Sequence, residues 1–344
     1  MKRKLLAALC SVTLAGMLLA GCTDAAAPAP AAPAAEAPAA EAPAAEEAAP
    51  AEAAAEETSG GSGAGYKIAL ITMDSVDQHW VSLHEGAQAE ADAEGVTVDF
   101  MSPDVKDDAK QIECINNAVA GGYDGLIVAA NSEDAVSGAL KEAIDSGMKL
   151  VYVDSPANVE AEATFSTDNR AAGVTAGEQM LQALSEKGIT SGDIGIVNIN
   201  TSTNSTLMRE EGFRAALEGS GFNILETQYC EGDAAKAQTI AENYLTEGVV
   251  GIFGANEGAA TGTGNAIKAS GNDQVVGVGF DKSDTLRGLI ADGYLYCTMA
   301  QNPDVMGKEG IAAMVKALNG EDLGGAVTDT GVSGLNKDNV NQES

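Results

Sequence analysis

Short apolar runs alternate with Ala-rich amphipathic segments along the chain after residue 65. The run VVGVGF, residues 275–280, is rich in Val and is followed by Asp281, as is typical of a strand in a parallel sheet covered on both faces. The segments 79–95 and 109–122 have apolar residues at helical spacing and end in Gly, which predicts helices. Strands and helices are therefore predicted to alternate.

The repeated order of strand, helix and strand predicts right-handed crossovers and parallel sheets. The predicted strands are YKIALIT, VTVDFM, DGLIVAA, MKLVYVD, DIGIVNIN, FNILETQY, VVGIFGAN, QVVGVGFD and LYCTMAQ. This stretch is too long for one such sheet, and a break at residues 163–170, ATFSTDNR, divides it into comparable halves. We therefore predict an α/β fold of two Rossmann-like lobes, with parallel sheets flanked by helices and a ligand cleft between them.

The first 65 residues have a different composition. Basic residues at positions 2–4 precede the apolar stretch Leu5–Leu19, and the small residues that follow end at Cys22. This pattern resembles a bacterial lipoprotein signal over residues 1–22, with lipid attached to Cys22. A transmembrane helix is the alternative, but the stretch is short for a span of about 20 residues. Residues 23–65, rich in Ala, Pro and Glu and then in Gly and Ser, predict a disordered tether.

Charge and cysteine content exclude several classes of partner. The chain has 51 acidic and 19 basic residues and a net charge of −32, which argues against nucleic acid and against a polybasic membrane anchor. Beyond Cys22 the cysteines are Cys114, Cys230 and Cys297, none of them in a CxxC pair. With two histidines they do not complete a zinc set, so we predict no metal and no cofactor, and we expect these thiols to pack as small hydrophobes.

Polar residues follow several of the predicted strands, at the edge where open α/β sheets bind ligands. Asp281 follows VVGVGF, and Gln301 follows YLYCTMA just before Pro303, which can begin a helix. Asp154 follows the fourth strand, where it either accepts hydrogen bonds from two adjacent hydroxyls or fixes the turn before Pro156. We expect these groups to face one space.

Residues of three further segments widen the candidate site. After the first strand, His79 and Trp80 suggest a ring platform beside Asp77, although Trp80 could instead pack its own helix onto the sheet. Arg209 lies early in a helix, where the helix dipole disfavours a cation, so it has either a specific acceptor or a neighbouring Glu as its partner. Asn256 is a candidate ligand contact or simply a helix cap.

This mixture of carboxylates, amides and a ring suits a neutral sugar or polyol. Phosphate binding is disfavoured because the Gly262-x-Gly264 sequence has Ile267 where the dinucleotide fingerprint requires Gly or Ala. An enzyme is also disfavoured, since His79 has no evident Ser or Cys partner in a motif.

The ordered motifs WVSLHEGAQAEAD, EDAVSGAL, STDNRAAG, REEGFRAAL, ANEGAATG, VVGVGFD and MAQNPDVMG carry a resemblance to a known family. From Tyr66 to about Asn339 the chain resembles the ribose/galactose-type periplasmic binding proteins of bacterial ABC sugar importers, which are related to the LacI-type repressor core. The resemblance implies ligand contacts at Asp77, His79, Trp80, Asp154, Arg209, Asn256, Phe280, Asp281 and Gln301.

The chain departs from the ribose type at several positions. Asp77-Gln78-His79-Trp80 stands where the ribose proteins usually have Asn-x-Phe-Phe, and Ser155 stands where an Arg usually follows the strand-four Asp. An aromatic residue near Gly232-Asp233 is also missing. The resemblance therefore leaves the particular sugar open.

Together these features predict a monomeric, lipid-anchored solute-binding protein on the extracytoplasmic face of the cell membrane. It would close on a monosaccharide or polyol and deliver it to an ABC permease; the alternative is a sensory subunit that presents the ligand to a histidine kinase or chemoreceptor. The expected lobes are 66–167 with 302–329 and 168–301 with 330–344, joined by a hinge of three crossings near 167–169, 301–302 and 329–331.

Overall fold

The computed structural model describes residues 65–342. The predicted signal peptide, Cys22 and the predicted tether up to residue 64 lie outside this range. The described residues form two mainly parallel sheets flanked by helices, which confirms the predicted α/β fold. Within residues 65–342, no helix is both long and apolar enough to cross a membrane.

The secondary structure alternates as the sequence pattern predicts. The strands are β1 Lys67–Ile71, β2 Thr97–Phe100, β3 Gly125–Val128, β4 Lys149–Val153, β5 Ala163–Ser166, β6 Gly192–Asn198, β7 Phe222–Ile224, β8 Gln228–Tyr229, β9 Gly251–Gly254, β10 Val276–Phe280, β11 Cys297–Gln301, β12 Ala326–Asp329 and β13 Val332–Asn336. The helices are α1 Gln78–Glu94, α2 Asp108–Ala120, α3 Ser137–Asp145, α4 Asn169–Glu186, α5 Asn204–Leu217, α6 Ala234–Glu247, α7 Glu257–Ser270, α8 Asp284–Ala291 and α9 Pro303–Leu318.

The first lobe is built on a six-stranded parallel sheet with the order β12-β5-β4-β3-β1-β2. Successive side chains of a strand point to opposite faces. Ile68 and Leu70 accordingly pack with residues of α1 and α9, whereas Ala69 and Ile71 pack with residues of α2 and α3. Both faces of β1 are therefore covered, which explains why this inner strand is apolar after Lys67.

The second lobe is built on a seven-stranded sheet with the order β13-β11-β10-β9-β6-β7, and β8 also pairs with β6. All pairings are parallel except that of β13 with β11. Helices α4 and α5 cover one face, where Phe213 stacks on Phe253 with ring centroids 4.4 Å apart. Helices α6 and α7 pack on the other face. Cys230 and Cys297 are buried, as expected, and Cys114 is half-buried.

The sequence pattern missed three strands. Residues 163–170, interpreted as a break, begin with β5, and the chain leaves the first sheet only after Ser166. The strands β12 and β13 were not predicted because most of their residues are exposed, so neither contains an apolar run. The single predicted strand FNILETQY forms the two short strands β7 and β8.

Close helix packing in the first lobe depends on glycines. A Cβ added to Gly86 in α1 would lie 2.0 Å from the carbonyl oxygen of Asp304 in α9. A Cβ added to Gly307 in α9 would lie 2.0 Å from the carbonyl oxygen of Leu83 in α1. The two helix backbones touch at this crossing, which holds α1 directly against α9.

Three segments connect the two sheets: β5 to α4, β11 to α9, and β12 to β13. They are hydrogen-bonded to one another. Thr167 Oγ1 donates to Gln301 Oε1 at 2.9 Å, and Asn302 Nδ2 donates to the carbonyl oxygen of Thr330 at 2.8 Å. These segments lie at the predicted crossings; the lobe boundaries and the hinge motion remain predictions.

Candidate ligand-binding site

Two aspartates at strand ends have a left-handed backbone conformation. Asp154 directly follows β4 and has φ 59°, and Asp281 directly follows β10 and has φ 74°. Among the non-glycine residues of the described range, only Glu231 shares a positive φ. Such a conformation costs on the order of 1–3 kcal/mol and tends to occur at functional sites. The fold therefore holds one strained, buried carboxylate from each lobe.

The His79 side chain lies between these two carboxylates and is 6% exposed. Its Nε2 is 3.1 Å from Asp154 Oδ2, although the two atoms are poorly aligned for a hydrogen bond, and its Nδ1 is 3.5 Å from Asp281 Oδ1. Burial lowers the pKa of His79, but the two carboxylates outweigh burial and the net shift is upward. Burial likewise raises the pKa of Asp154, yet His79 and Arg209 lower it to about 2. An imidazole of the first lobe thus contacts carboxylates of both lobes.

A buried charge cluster forms the first-lobe side of the cleft. Lys106 Nζ lies 2.6 Å from Asp77 Oδ2 and also donates to Asp74. Burial lowers the pKa of Lys106, but Asp77 and Asp74 outweigh burial and raise it above its ordinary value. Trp80 Nε1 donates to Asp74 Oδ2 at 3.1 Å. Trp80 belongs to the core of the first lobe and also lines the cleft, and its role as a ring platform for the ligand stays a prediction.

Arg209 is held by neutral partners of the second lobe. Its Nε donates to Asn169 Oδ1 at 2.8 Å, and its Nη1 donates to the carbonyl oxygen of Ala255 at 3.0 Å. The guanidinium carbon lies 4.0 Å from the centroid of the Phe280 ring, and Nη2 is 3.9 Å from Asp154 Oδ2. Arg209 therefore points into the cleft instead of pairing with a neighbouring Glu. Phe280 is fully buried beneath it, so the structure does not bring Phe280 to the cleft surface.

The start of α7 and the end of β11 hold the other second-lobe groups. Asn256 caps α7 by accepting from the backbone N–H of Ala259 at 3.1 Å, and it also lines the cleft. Asp281 accepts from the backbone N–H of Glu257 at 2.7 Å and from the Gln301 side-chain amide. These contacts fix the orientation of the carboxylate before any ligand arrives.

Glu257 was not predicted as part of the site. Its Oε2 accepts from the backbone N–H of His79 at 3.2 Å, across the two lobes. Burial, together with the nearby Asp77 and Asp281, raises the pKa of Glu257 to about 7. Glu257, Asp77 and Asp281 together make this end of the cleft strongly negative.

The cleft brings together eight of the nine predicted site residues, all except Phe280. It encloses about 20 Å³ of free space, room for about one water molecule. Lining residues that the sequence interpretation missed are Met73, Lys106, Ile199 and Thr206. Lys106 lies in the polar segment PDVKDD after β2. Its position after a predicted strand was the one sequence signal that could have identified it as a site residue.

Lys106 also closes the cleft where the ribose-type aromatic residue is missing. A Cβ added to Gly232 would lie 2.6 Å from Cδ of Lys106, and Gly232 has φ 73°. The aliphatic stem of Lys106 therefore packs directly on the glycine backbone of the opposite lobe. A glycine here gives the lysine access to Asp74 and Asp77.

Comparison with known proteins defines the family. Residues 68–322 match the sequence profile of the periplasmic binding protein domain, and the chain belongs to that family. The ribose import binding protein RbsB of Escherichia coli is 29% identical over 257 residues, 74% of this chain and 85% of that protein. The D-allose-binding periplasmic protein of E. coli is 28% identical over 273 residues, 76% of this chain and 86% of that protein. The predicted resemblance to periplasmic sugar-binding proteins is thereby confirmed.

Solved structures agree with this assignment. An ABC transporter solute-binding protein from Agrobacterium vitis with bound D-fucose has a TM-score of 0.75 and 30% identity, covering 80% of this chain and 97% of that one. A carbohydrate transporter solute-binding protein from Agrobacterium radiobacter in complex with D-arabinose has a TM-score of 0.77 and 26% identity, covering 80% of this chain and 96% of that one. The two-sheet architecture is that of this family.

Proposed function

We propose that the protein is an extracytoplasmic solute-binding lipoprotein that captures a monosaccharide or related polyol between its lobes and delivers it to an ABC importer. The observation that carries the proposal is the pair of strained carboxylates, Asp154 and Asp281, one from each lobe, at the ends of β4 and β10. Two carboxylates at one point accept hydrogen bonds from neighbouring hydroxyls, which is what a sugar ring offers. The sugars named for the relatives support this class of ligand.

Closure of the cleft is part of the proposal. A ligand drives closure only if it binds the closed form more tightly than the open form, and contacts to both lobes supply that difference. The hydrogen-bonded segments at Thr167, Gln301, Asn302 and Thr330 would act as the hinge. Ligand binding would also have to move the His79 side chain, because it fills the space between Asp154 and Asp281.

Calorimetric titration tests this function directly. The full chain in mild detergent is titrated with a panel of neutral monosaccharides, amino sugars and cyclitols. We expect saturable binding of at least one compound with one site per chain. A panel without any binding compound would contradict the proposal. Uptake of the same compound by cells that lack the gene, compared with the parent strain, tests delivery to the importer.

A further inference from the structure

Carboxylates outnumber cations at the cleft. The carboxylates that line it or contact its lining residues are Asp74, Asp77, Asp154, Glu257 and Asp281, and the corresponding permanent cations are Lys106 and Arg209. Three negative charges are therefore left over when all five carboxylates are ionised and His79 is neutral, and one is left over when Glu257 and His79 are both protonated. Buried carboxylates without a paired cation are costly, so this excess needs a physical explanation.

The two cations already have partners. Lys106 is shared between Asp74 and Asp77, and that trio still holds one excess negative charge. Arg209 is hydrogen-bonded to neutral acceptors and reaches Asp154 only at 3.9 Å. The neighbour of Asp154 in sequence, Ser155, offers it a hydroxyl at 2.6 Å and no charge.

Asp281 and Glu257 have no such compensation. Among the described residues, neither carboxylate has a Lys or Arg nitrogen within 4.0 Å. Their partners are the Gln301 amide and backbone N–H groups. Of the described residues, His79 is the one with a nitrogen that can carry positive charge within 4.0 Å of the Asp281 carboxylate.

His79 occupies this position imperfectly. More than nine-tenths of its side chain is buried, and Nε2 points at Asp154 without the alignment of a hydrogen bond. Nδ1 is 3.5 Å from Asp281, which is long for a hydrogen bond. The point between the two carboxylates thus admits a nitrogen donor with positive charge, and the rigid imidazole satisfies neither carboxylate well.

An ammonium group has the properties that this point requires. It has three N–H donors that rotate freely, and its hydrogen bonds to carboxylates are charge-assisted. A neutral hydroxyl would donate one hydrogen bond and leave the excess charge in place. The net charge of −32 would also attract a cationic ligand to the protein.

We propose that the ligand carries an ammonium group, as an amino sugar or an aminocyclitol does, and that this group replaces the His79 imidazole between Asp154 and Asp281. The proposal rests on the proposed function, since it names the chemical class of the captured sugar or polyol. Displaced from the carboxylates, the imidazole is free to pack against the ligand ring.

Matched pairs of compounds test the charge of the ligand. The full chain is titrated calorimetrically with D-glucosamine, D-galactosamine, D-mannosamine and scyllo-inosamine, each beside its hydroxyl parent and its N-acetyl derivative. The N-acetyl compound keeps the nitrogen and removes the charge. We expect at least one amine to bind about 10-fold or more tightly than both of its neutral counterparts, because only the ammonium group adds a positive charge beside the buried carboxylates.

Substitutions locate the effect. Asp281→Asn keeps the side-chain shape and tolerates the left-handed backbone, so it removes the charge alone. It should weaken amine binding by about 10- to 100-fold and weaken the neutral parent less. Glu85→Gln removes an exposed carboxylate from α1 and is the matched control, with no expected change.

The outcomes separate this inference from the proposed function. If the hydroxyl parents bind as tightly as the amines, or more tightly, the proposal of an ammonium group is overturned. The proposed capture of a sugar would then still stand. An equal loss for amine and parent in Asp281→Asn would also overturn it. No binding by any compound, neutral or charged, would contradict the proposed function as well.

Discussion

The two lobes hold their sides of the cleft by different means. On the first-lobe side, charged side chains hold one another, because Lys106 joins Asp74 and Asp77 and the Trp80 indole donates to Asp74. On the second-lobe side, neutral groups hold the charged side chains, and the backbone supplies part of them. Asp281 accepts from a backbone N–H at the start of α7, and Arg209 donates to a backbone carbonyl oxygen.

This difference has a consequence for mutation. Removal of one charge on the first-lobe side leaves its partners buried and uncompensated, so the cost falls on the fold. Removal of one group on the second-lobe side leaves the backbone scaffold intact, so the cost falls on binding. Substitutions on the two sides test whether stability and affinity separate between the lobes in this way.

The largest expected effect is on folding and concerns Lys106. Lys106→Met keeps the aliphatic stem over Gly232 but leaves Asp74 and Asp77 without their shared cation. Breaking a buried ion pair costs about 3–5 kcal/mol, so the free energy of unfolding should fall by about that amount in chemical denaturation. Lys110→Met, which breaks an exposed pair with Asp104, is the control and should have little effect. Equal effects of the two substitutions would contradict the account of the first lobe.

The next effect is on affinity and concerns Asp281. Asp281→Ala should weaken ligand binding about 100-fold or more, since it removes a buried carboxylate that accepts charge-assisted hydrogen bonds. The melting temperature of the unliganded chain should change little. Glu231→Ala controls for removing a side chain at positive φ, because Glu231 is exposed and shares the left-handed conformation. A binding constant within about threefold of the parent would remove Asp281 from the site.

A smaller effect concerns pH. Glu257 has a pKa raised from 4.5 to about 7 by burial and neighbouring carboxylates, and the pKa of His79 is raised as well. The folded chain therefore holds more protons than the unfolded chain, and stability is lost as pH rises through these folded-state pKa values. The melting temperature should fall by a few degrees between about pH 5 and pH 8.

Glu257→Gln should flatten this dependence, because its amide does not titrate. The Glu85→Gln control should keep the parent slope. The depressed pKa of Asp154, about 2, contributes only at the acidic end, where its stabilising effect is lost as pH falls. A melting temperature that rises with pH over the whole interval would contradict the protonation of Glu257 and His79 in the fold.

The smallest effect on the cleft is expected from the N-terminus. Cys22→Ala should abolish lipid attachment and either release the protein from membranes or leave an uncleaved precursor. Ligand affinity should stay within about threefold of the parent, because the site lies wholly within the described residues. Membrane fractionation and mass spectrometry check the first expectation. A processed, membrane-bound Cys22→Ala protein would contradict the lipoprotein assignment.

The sequence predicted the strand-end residues well for a physical reason. An apolar run ends where the strand ends, so Asp154 and Asp281 could each be placed at the carboxyl end of a strand from pattern alone. Phe280 is the one implied contact residue that does not line the cleft. Successive strand residues face opposite sides, so the residue directly before Asp281 packs in the core under Arg209.

The remaining errors have a common cause. Lys106 was missed because its loop is polar, which predicts a solvent-exposed segment. Its burial depends instead on contacts with carboxylates more than 25 residues away in the chain. The sequence also could not predict that Asp154 and Asp281 adopt a left-handed conformation. Nor could it predict that His79 contacts both carboxylates. These features arise from tertiary contacts between loops, for which the sequence has no periodic signal.

The central claim is that one ligand contacts both lobes. The fluorescence emission of the single tryptophan tests this claim. Trp80 lies in the first lobe and lines the cleft, so its emission reports ligand binding from that side. The emission of the parent chain and of Asp281→Ala is followed during titration with the compound that binds in calorimetry. We expect a saturable shift in the parent that requires about 100-fold more ligand in the variant. Identical titration curves, or no shift in a parent that binds by calorimetry, would contradict a ligand held between the two lobes.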